Sequence, residues 1–599
     1  MPISNTLRQV AVIKDIFDQT VAPTVAAVAQ NQMNHIVSTV LKQRSYKVLH
    51  AVDESSREAE QVNLDLLFRL LEDNKDTEYG RKYNFADIHD VDAYREQVPL
   101  TTYEDYEDAI TRMSEHDEKN LLTAYPVVYY ASTSGTSGAP KKIPVSDKGL
   151  QVFREHSSSI FVSVVSEFYK NTMLKDMPDG YWLAMMNFAQ TPLPNGTMFG
   201  SISAACLNDE ALKAMPYFAC TPLDVFACTE SANFKYLHAR YGLAQRNTTI
   251  VVGPYIPALL DLMNYIRDDW KMIVEDIRQG TINSEILMPD ELRAKLEAEL
   301  VPDPARADEL EREFEKGFDQ TIMRRIWPKL AGISSIWAGN FSSYARKLQE
   351  YSGRSIPYYT MSYVSSEGIF GVARHPHDQC YVMLPKSCFF EFIPVVNGKN
   401  DDEAPDAKTV LLNEVQEGKD YELVITNQSG FYRYRMGDVI RVIGFYNESP
   451  MVTFKYRKKN IVSIAGEKFT EDHLLSAVRS FERKTGINVI DFCMYPDRDA
   501  EPGRYVVLLE PEEVVPKERY DECQAIMAEE LVRASTSYAH YVTGGNMGEP
   551  KLIFLQKETF QFHREMKMYE MGINENQLKP VRVLDKPELI RFFTLLEER

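Results

Sequence analysis

Tyr129-Tyr130-Ala131-Ser132-Thr133-Ser134-Gly135-Thr136-Ser137-Gly138-Ala139-Pro140-Lys141-Lys142-Ile143-Pro144 places a hydroxyl- and glycine-rich loop between two β-prone segments, Val127–Tyr130 and Ile143–Ser146. The chain therefore passes from strand to strand here. A Walker-type phosphate loop needs Gly-x-x-x-x-Gly-Lys-[Ser/Thr] running straight into a helix, whereas only two residues separate Gly135 from Gly138, so a P-loop NTPase is excluded. Gly135 and Gly138 let the backbone approach an anion closely. Ser134, Thr136 and Ser137 each offer a hydroxyl donor, and Lys141 adds a mobile positive charge. The stretch suits phosphates, and by composition alone it equally suits a solvated turn. The rest of the chain decides between them.

At 599 residues and 44% hydrophobic, the chain can bury large cores, and its length favours more than one domain. Seven cysteines with no Cys-x-x-Cys pair suit reduced thiols in a cytoplasmic protein better than a disulfide framework. Neither a secretion signal nor a bilayer-spanning apolar run is read, so no membrane partner is expected. The formal net charge of −20 argues against a nucleic-acid surface. It also demands that any pocket for an anionic nucleotide be locally positive or carry a metal cation.

Outward from the loop, Asn5 to about Asn74 has helical periodicity. The segments Tyr79–Phe85 and Val98–Tyr103 form an aromatic lead-in. After the loop, Ser146 or Asp147 is placed to cap a helix with apolar positions Leu150, Phe153, Ile160, Val164 and Phe168. Thr248–Gly253 reads as a buried strand followed by the helical Leu259–Ile277. Ile333–Trp337 and the helical Ser343–Tyr351 repeat that order, which points to an α/β body. Glu291–Leu300 and Ala307–Trp327 read as solvated amphipathic helices. Asn397–Lys408 is an acidic insertion in a hairpin joining Phe389–Pro394 to Tyr421–Thr426. Beyond Tyr456 the pattern becomes helix Thr470–Lys484, strands Val489–Met494 and Tyr505–Glu510, helix Lys517–Tyr541 and strand Leu552–Leu555, a compact α+β unit. We therefore expect an α/β and α+β protein with a large N-terminal domain, residues 1–456, and a smaller C-terminal domain, residues 457–599.

Two further stretches carry chemistry. Tyr434-Arg435-Met436-Gly437-Asp438 puts a carboxylate at the tip of a turn, where it could accept hydrogen bonds from both hydroxyls of a ribose or simply satisfy the turn. Glu367, beside Ser365 and Ser366 just past a strand end, could hold a divalent cation against phosphates, and Tyr363 offers a flat face for a base. The tempting His375-Pro376-His377 lacks a third ligand at zinc-site spacing and reads as a loop feature. No Gly-x-Ser-x-Gly elbow supports hydrolase chemistry.

In this order, Thr133–Lys141, Tyr363-Val364-Ser365-Ser366-Glu367 and Tyr434-Arg435-Met436-Gly437-Asp438 resemble the three motifs of the adenylate-forming superfamily, to which firefly luciferase belongs. A closer likeness, from about Asn74 to Val583, is to the auxin-responsive acyl-acid amido synthetases of plants and bacteria. It rests on Val98–Tyr106, Tyr363–Glu367, Phe390-Glu391-Phe392-Ile393-Pro394, Arg457–Ser463 with Glu467-Lys468, and Gln577–Arg582. The resemblance implies an N-terminal domain of mixed sheets, a β-barrel and helices, and a mobile C-terminal domain that rotates about Arg457–Asn460. It implies that Ser134, Gly135, Thr136, Ser137, Gly138 and Lys141 hold ATP phosphates, that Tyr363 stacks on adenine, and that Ser366 contacts the α-phosphate. Glu367 is implied as the magnesium ligand and Asp438 as the ribose acceptor, with Arg457 among the nucleotide contacts. Lys579, Glu367 and Thr136 are the implied catalytic residues, with Lys579 swung in by the C-terminal domain. Gly138-Ala139-Pro140-Lys141, Glu467-Lys468-Phe469-Thr470 and Leu578 depart from the plant hormone form, which leaves adenylation as the expectation without plant-hormone specificity, and a bacterial member of the family is expected.

The expected reaction joins a carboxylic acid to an amine, an amino acid by the resemblance, with ATP and Mg2+ giving an acyl-adenylate, then amide, AMP and pyrophosphate. An acyl-CoA ligase shares the first half-reaction. A catalytically silent nucleotide-binding protein is the reading from a different class, and Lys579 and Glu367, dispensable for mere binding, count against it. Trp337, Phe341 and Tyr344 are candidate walls of the acyl pocket, although core packing explains them equally.

Overall fold

The computed structural model describes residues 23–132, 141–156, 160–170, 172, 175–207, 209–226, 231–319, 321–337, 342–360, 362–395, 407–458, 464, 467, 469–543, 545–571, 580–584 and 586–598. Eighteen strands among them make four sheets. Strands β1 (Val127–Ser132) and β2 (Lys142–Ser146) are antiparallel neighbours, so the opening loop does run from strand to strand. With β4 (Gln190–Pro192) and β5 (Met198–Gly200), and β3 (Tyr181–Ala184) left to another sheet, they form a mixed sheet of order β2-β1-β5-β4.

The second sheet is wholly parallel, in the order β3, β6 (Thr248–Tyr255), β7 (Gly332–Ile336), β8 (Tyr358–Tyr359). Its central strand opens on the β-branched run Thr248-Thr249-Ile250-Val251-Val252, buried throughout, as a strand covered on both faces requires. The chain leaves β8 at the carboxyl edge of this sheet and reaches Tyr363 a few residues later. That edge is where ligands of α/β sheets gather.

Seven antiparallel strands make the third sheet: β9 (Tyr363–Ser365), β10 (Gly368–Val372), β11 (Tyr381–Met383), β12 (Phe389–Val395), β13 (Asp420–Thr426), β14 (Tyr434–Tyr446) and β15 (Ser449–Arg457). Their order is β12-β13-β14-β15-β11-β10-β9, the sheet at the place where the β-barrel is expected. Strands β12 and β13 pair along their length as the predicted hairpin, and most of its acidic insertion, 396–406, lies outside the described residues. The last sheet, β16 (Val489–Asp497), β17 (Arg504–Pro511) and β18 (Lys551–Phe554), belongs to the C-terminal domain.

The helices we label are α1 (Pro23–Ser55), α2 (Ala59–Asn74), α3 (Asp147–His156), α4 (Ile160–Lys170), α5 (Ile256–Gln279), α6 (Ser342–Ser352), α7 (Glu471–Thr485), α8 (Tyr520–Ala534) and α9 (Thr559–Met571). The Ser146 hydroxyl accepts from the Gly149 amide at 3.0 Å, the cap predicted for α3. Three expected helices are shorter than their apolar periodicity. The run from Leu150 to Phe168 is divided between α3 and α4. That from Ala307 to Trp327 is divided into Pro304–Phe314 and Ile322–Ile326. That from Lys517 to Tyr541 breaks at Ser535, whose extended backbone ends α8. Periodicity continued across each break because the same face packs on both sides of it, and periodicity alone does not register where backbone hydrogen bonding stops.

One large apolar core lies beneath the seven-stranded and mixed sheets, and a second surrounds α5 and the parallel sheet. The C-terminal domain has its own core on each face of its sheet. No described helix is long and apolar enough to cross a membrane.

Candidate functional site

The phosphate-type loop itself, with Ser134, Gly135, Thr136, Ser137 and Gly138, lies outside the described residues, as does Lys579. Both ends of the loop are placed. Ser132 closes β1, and Ser366, in the tight turn between β9 and β10, donates its hydroxyl to the Ser132 carbonyl at 2.8 Å. The second motif is thereby fastened to the mouth of the first.

The third motif meets the second through side chains. The Tyr363 hydroxyl donates to Asp438 Oδ2 at 2.9 Å, and the Tyr434 hydroxyl lies 3.4 Å from Glu367 Oε1. Asn427 donates to the Glu367 carbonyl at 2.7 Å, which holds the β9–β10 turn against the end of β13. Three stretches far apart in sequence thus converge on one place.

Asp438 is not at the tip of a turn, as the sequence predicts. It lies within β14, directly opposite Arg457 of β15, and Arg457 Nε donates to its Oδ1 at 2.6 Å. The Tyr-Arg-Met-Gly-Asp stretch looks turn-like because Gly437 adopts a φ of +69°, which glycine accepts and an L side chain resists. The strand runs on through it, and the β13–β14 register shifts nearby, between Glu422 and Val424. Asp438 is 2% exposed, so its charge is paid for by Arg457 rather than by water. The guanidinium is held more firmly protonated than usual, first by the Asp438 charge. Burial, then the Asp438 charge, pushes the Tyr363 hydroxyl well above its ordinary range, so it remains a donor at any physiological pH.

Tyr363 presents less of its ring than the sequence implies. It is 8% exposed, with Phe370 and Phe454 edge-on at 5.2 and 6.4 Å.

Lys141, at the far end of the loop, is described. Its ammonium lies 3.2 Å from Glu104 Oε1 and 4.1 Å from the centre of the Tyr103 ring. These partners come from the lead-in Val98–Tyr106, which is itself tied to the third motif. Thr101 forms a parallel bridge with Tyr434, and its hydroxyl donates to the Tyr432 carbonyl at 2.8 Å. Arg433 anchors the whole arrangement. It makes a two-pronged contact with the buried Glu391, at 3.0 Å for both Nε and Nη2, and donates to the carbonyls of Arg95 and Val98 at 2.9 and 2.8 Å. The Phe390-Glu391-Phe392 stretch therefore builds the scaffold that holds the lead-in.

Residues 48–357 match the GH3 family N-terminal domain, 381–457 its central domain and 472–588 its C-terminal domain. The chain belongs to the GH3 family. It is 30% identical over 481 residues to "Probable indole-3-acetic acid-amido synthetase GH3.1" of Arabidopsis thaliana, covering 78% of this chain and 79% of that one. It is 28% identical over 590 residues to indole-3-acetic acid-amido synthetase GH3.5 of the same plant, 94% of each chain. The solved structure of GH3.15 acyl acid amido synthetase superposes with a TM-score of 0.79 at 26% identity, covering 92% of this chain and 96% of that one. The general activity of this GH3 protein is ATP-dependent acyl-acid amide formation through an adenylate.

Several residues of this GH3 site were not legible as site residues. Tyr103 and Glu104 belong to the quoted Val98–Tyr106 stretch but carry no assigned contact there, Asn427 has no motif around it, and Tyr434 is only the first residue of one. Their signal was proximity to quoted motifs, which sequence spacing does not convert into a partner. Of the candidate acyl-pocket walls, Phe341 lies outside the described residues. Trp337 packs edge-on to Tyr358 at 6.1 Å. Tyr344 is buried, and its hydroxyl donates to Asp491 of the C-terminal domain.

Proposed function

We propose that this GH3 protein activates a carboxylic acid with ATP and Mg2+ and transfers the acyl group to the amine of an amino acid, in the cytoplasm, where its described cysteines remain free thiols. One observation carries the reading of the site: the Tyr363–Asp438 and Ser366–Ser132 hydrogen bonds bring the second and third motifs together at Ser132, where the first begins.

The donor set fits a nucleotide. Asp438 has one oxygen engaged by Tyr363 and the other by Arg457, and each oxygen keeps a further lone pair for a ribose hydroxyl. Glu367, partly exposed, has a hard oxygen suited to magnesium, which would neutralise charge on the phosphates. Lys141 and Arg457 are each balanced by a carboxylate, Glu104 and Asp438, so against the chain's net −20 a magnesium ion would supply the positive charge that the phosphates need. Ser134, Gly135, Thr136, Ser137 and Gly138 are assigned to the phosphates, Tyr363 to the base, and Ser366 to the α-phosphate.

In the first step the carboxylate oxygen attacks the α-phosphorus, the bond to the bridging oxygen breaks, and pyrophosphate leaves. Lys579 is assigned to stabilise the charge that builds on the α-phosphoryl and acyl oxygens. In the second, the amine nitrogen attacks the acyl carbon, AMP departs with the acyl-phosphate oxygen, and the nitrogen loses a proton. The C-terminal domain is assigned to rotate about Arg457–Asn460 between the two steps.

The test incubates the purified protein with ATP, Mg2+ and a library of carboxylic acids, reads pyrophosphate release, then offers amino acids or CoA. Amide formation is expected, and thioester without amide would overturn the proposal. Lys579→Ala should lower acid-dependent pyrophosphate exchange by at least about a hundredfold while ATP binding survives. Unchanged exchange would remove Lys579 from the chemistry.

A further inference from the structure

Outside that site, a buried polar cluster lies between the two domains. Asp491 of β16 is 1% exposed. Its Oδ1 accepts from Arg582 Nη1 at 2.6 Å, and its Oδ2 accepts from the hydroxyl of Tyr344, on α6 of the N-terminal domain. Arg564 of α9 stands 3.7 Å from the same Oδ2 and reaches Asp261 of α5 at 3.4 Å, which makes a second tie across the boundary. Tyr344 is 3% and Arg582 2% exposed, so neither contact is screened by water.

Arg582 is set into the C-terminal domain by more than its charge. Its Nη1 also donates to the Phe492 carbonyl at 2.8 Å, and its guanidinium lies 4.2 Å from the centre of the Phe492 ring. The backbone around it runs along β16: the Met494 amide donates to the Arg582 carbonyl, and the Leu584 amide to the Met494 carbonyl, both at 2.8 Å. Lys579 is three residues upstream, within about 10 Å of extended chain. Whatever moves Arg582 moves the base of the segment that carries that lysine.

Other ion pairs also cross the boundary among the described residues. Arg346–Glu482 at 3.2 Å and Lys347–Glu512 at 3.5 Å each have at least one partner substantially exposed, and such pairs hold little orientation. Lys455–Asp472, at 2.5 Å, is part-exposed on both sides and lies next to the Arg457–Asn460 hinge, where it leaves the far side of the domain free to turn. The Tyr344 hydroxyl and the Asp261 carboxylate, both from the N-terminal domain, are what the buried cluster receives from across the boundary.

We infer that Tyr344 is a positioning residue. Through Asp491 and Arg582 it holds the C-terminal domain in one of the two orientations that the two half-reactions require. This rests on the two-step reading above. A phenol donating to a buried carboxylate is strong while the domains are docked and is lost outright when they separate, because bond and burial vanish together. That is the behaviour of a latch.

The test uses the full-length protein and Tyr344→Phe, which keeps the ring and removes the donor. Labels introduced at the exposed Leu287 and Val514, one in each domain, report the interdomain distance. Pyrophosphate exchange and amide formation report the two half-reactions separately. With thermal unfolding and ATP binding unchanged, Tyr344→Phe should broaden the distance distribution. It should also move the ratio of the two half-reaction rates by about tenfold, one rising as the other falls. Asp261→Asn, which weakens the second tie, should shift the distance in the same direction by less, and it serves as the test if Tyr344→Phe does not fold. An unchanged distance distribution, or two half-reactions that fall together, would overturn the inference. A wild-type protein that forms neither pyrophosphate nor amide with any acid would overturn the ligase reading instead, and the distance measurement would still decide the latch.

Discussion

Asp438 and Asp491 are both buried, and each accepts hydrogen bonds from one tyrosine hydroxyl and one arginine, yet the two clusters are assembled in different ways. Around Asp438 the arginine is delivered by strand register, since Arg457 stands opposite it in the β14–β15 ladder only 19 residues on. Tyr363 comes from the same sheet. To separate these groups the sheet must come apart. Around Asp491 the arginine is local to the C-terminal domain, whereas Tyr344 is 147 residues away in the N-terminal domain. That bond needs only a rigid-body movement to break. The same chemistry thus serves as a fixed element in one place and as a separable contact in the other.

The largest expected effect tests the fixed cluster. Asp438→Ala leaves the buried Tyr363 hydroxyl and the part-exposed Arg457 guanidinium without their acceptor and should lower stability by about 2–4 kcal/mol, seen as a lower urea midpoint for the N-terminal transition together with loss of ATP binding. An unchanged midpoint would mean that register does not hold the cluster as we describe.

A smaller effect sharpens the contrast. Tyr363→Phe removes a hydroxyl donor from the fixed carboxylate, with an expected loss of about 1–3 kcal/mol and weaker ATP binding. It should leave the interdomain distance alone, whereas Tyr344→Phe should do the reverse. If both variants moved the same readout, the distinction between the clusters would fail.

The smallest effect lies at the rim. Burial raises the Glu104 carboxyl, but its own backbone amide, the Thr102 hydroxyl and Lys141 outweigh that and hold it down to about 2 against an ordinary 4.5. The folded protein therefore binds this proton more weakly than the unfolded chain. The stabilisation is fully present above about pH 4.5 and fades as pH falls through about 2. The side chain is 60% exposed, so salt should screen the contact. A carboxyl resonance lost in Glu104→Gln and titrating near pH 2 is expected, and a titration near 4.5 would remove the Lys141 contact.

What was legible in the sequence was whatever local pattern controls. The alternation around the loop gave strand to strand, the β-branched run Thr248–Val252 gave a buried strand, and the hairpin from Phe389 to Thr426 followed from two apolar runs around an acidic insertion. The three motifs were recognisable as residue types in order. Their partners were not, because a hydroxyl and a carboxylate 75 residues apart, as in Tyr363 and Asp438, leave no periodic trace.

By itself the sequence determined the composition of the site, namely a hydroxyl- and glycine-rich loop, an acidic residue after a strand and another after a glycine, together with membership in a family that uses them. Tertiary structure alone decided that Asp438 sits in a strand facing Arg457, that Glu391 braces the lead-in through Arg433, and that the Tyr344 hydroxyl reaches Asp491 across the domain boundary. The reason is physical. Propensity and periodicity act over a few residues, while the pairing of buried charges depends on which segments the sheets and the domain docking bring within about 3 Å of one another.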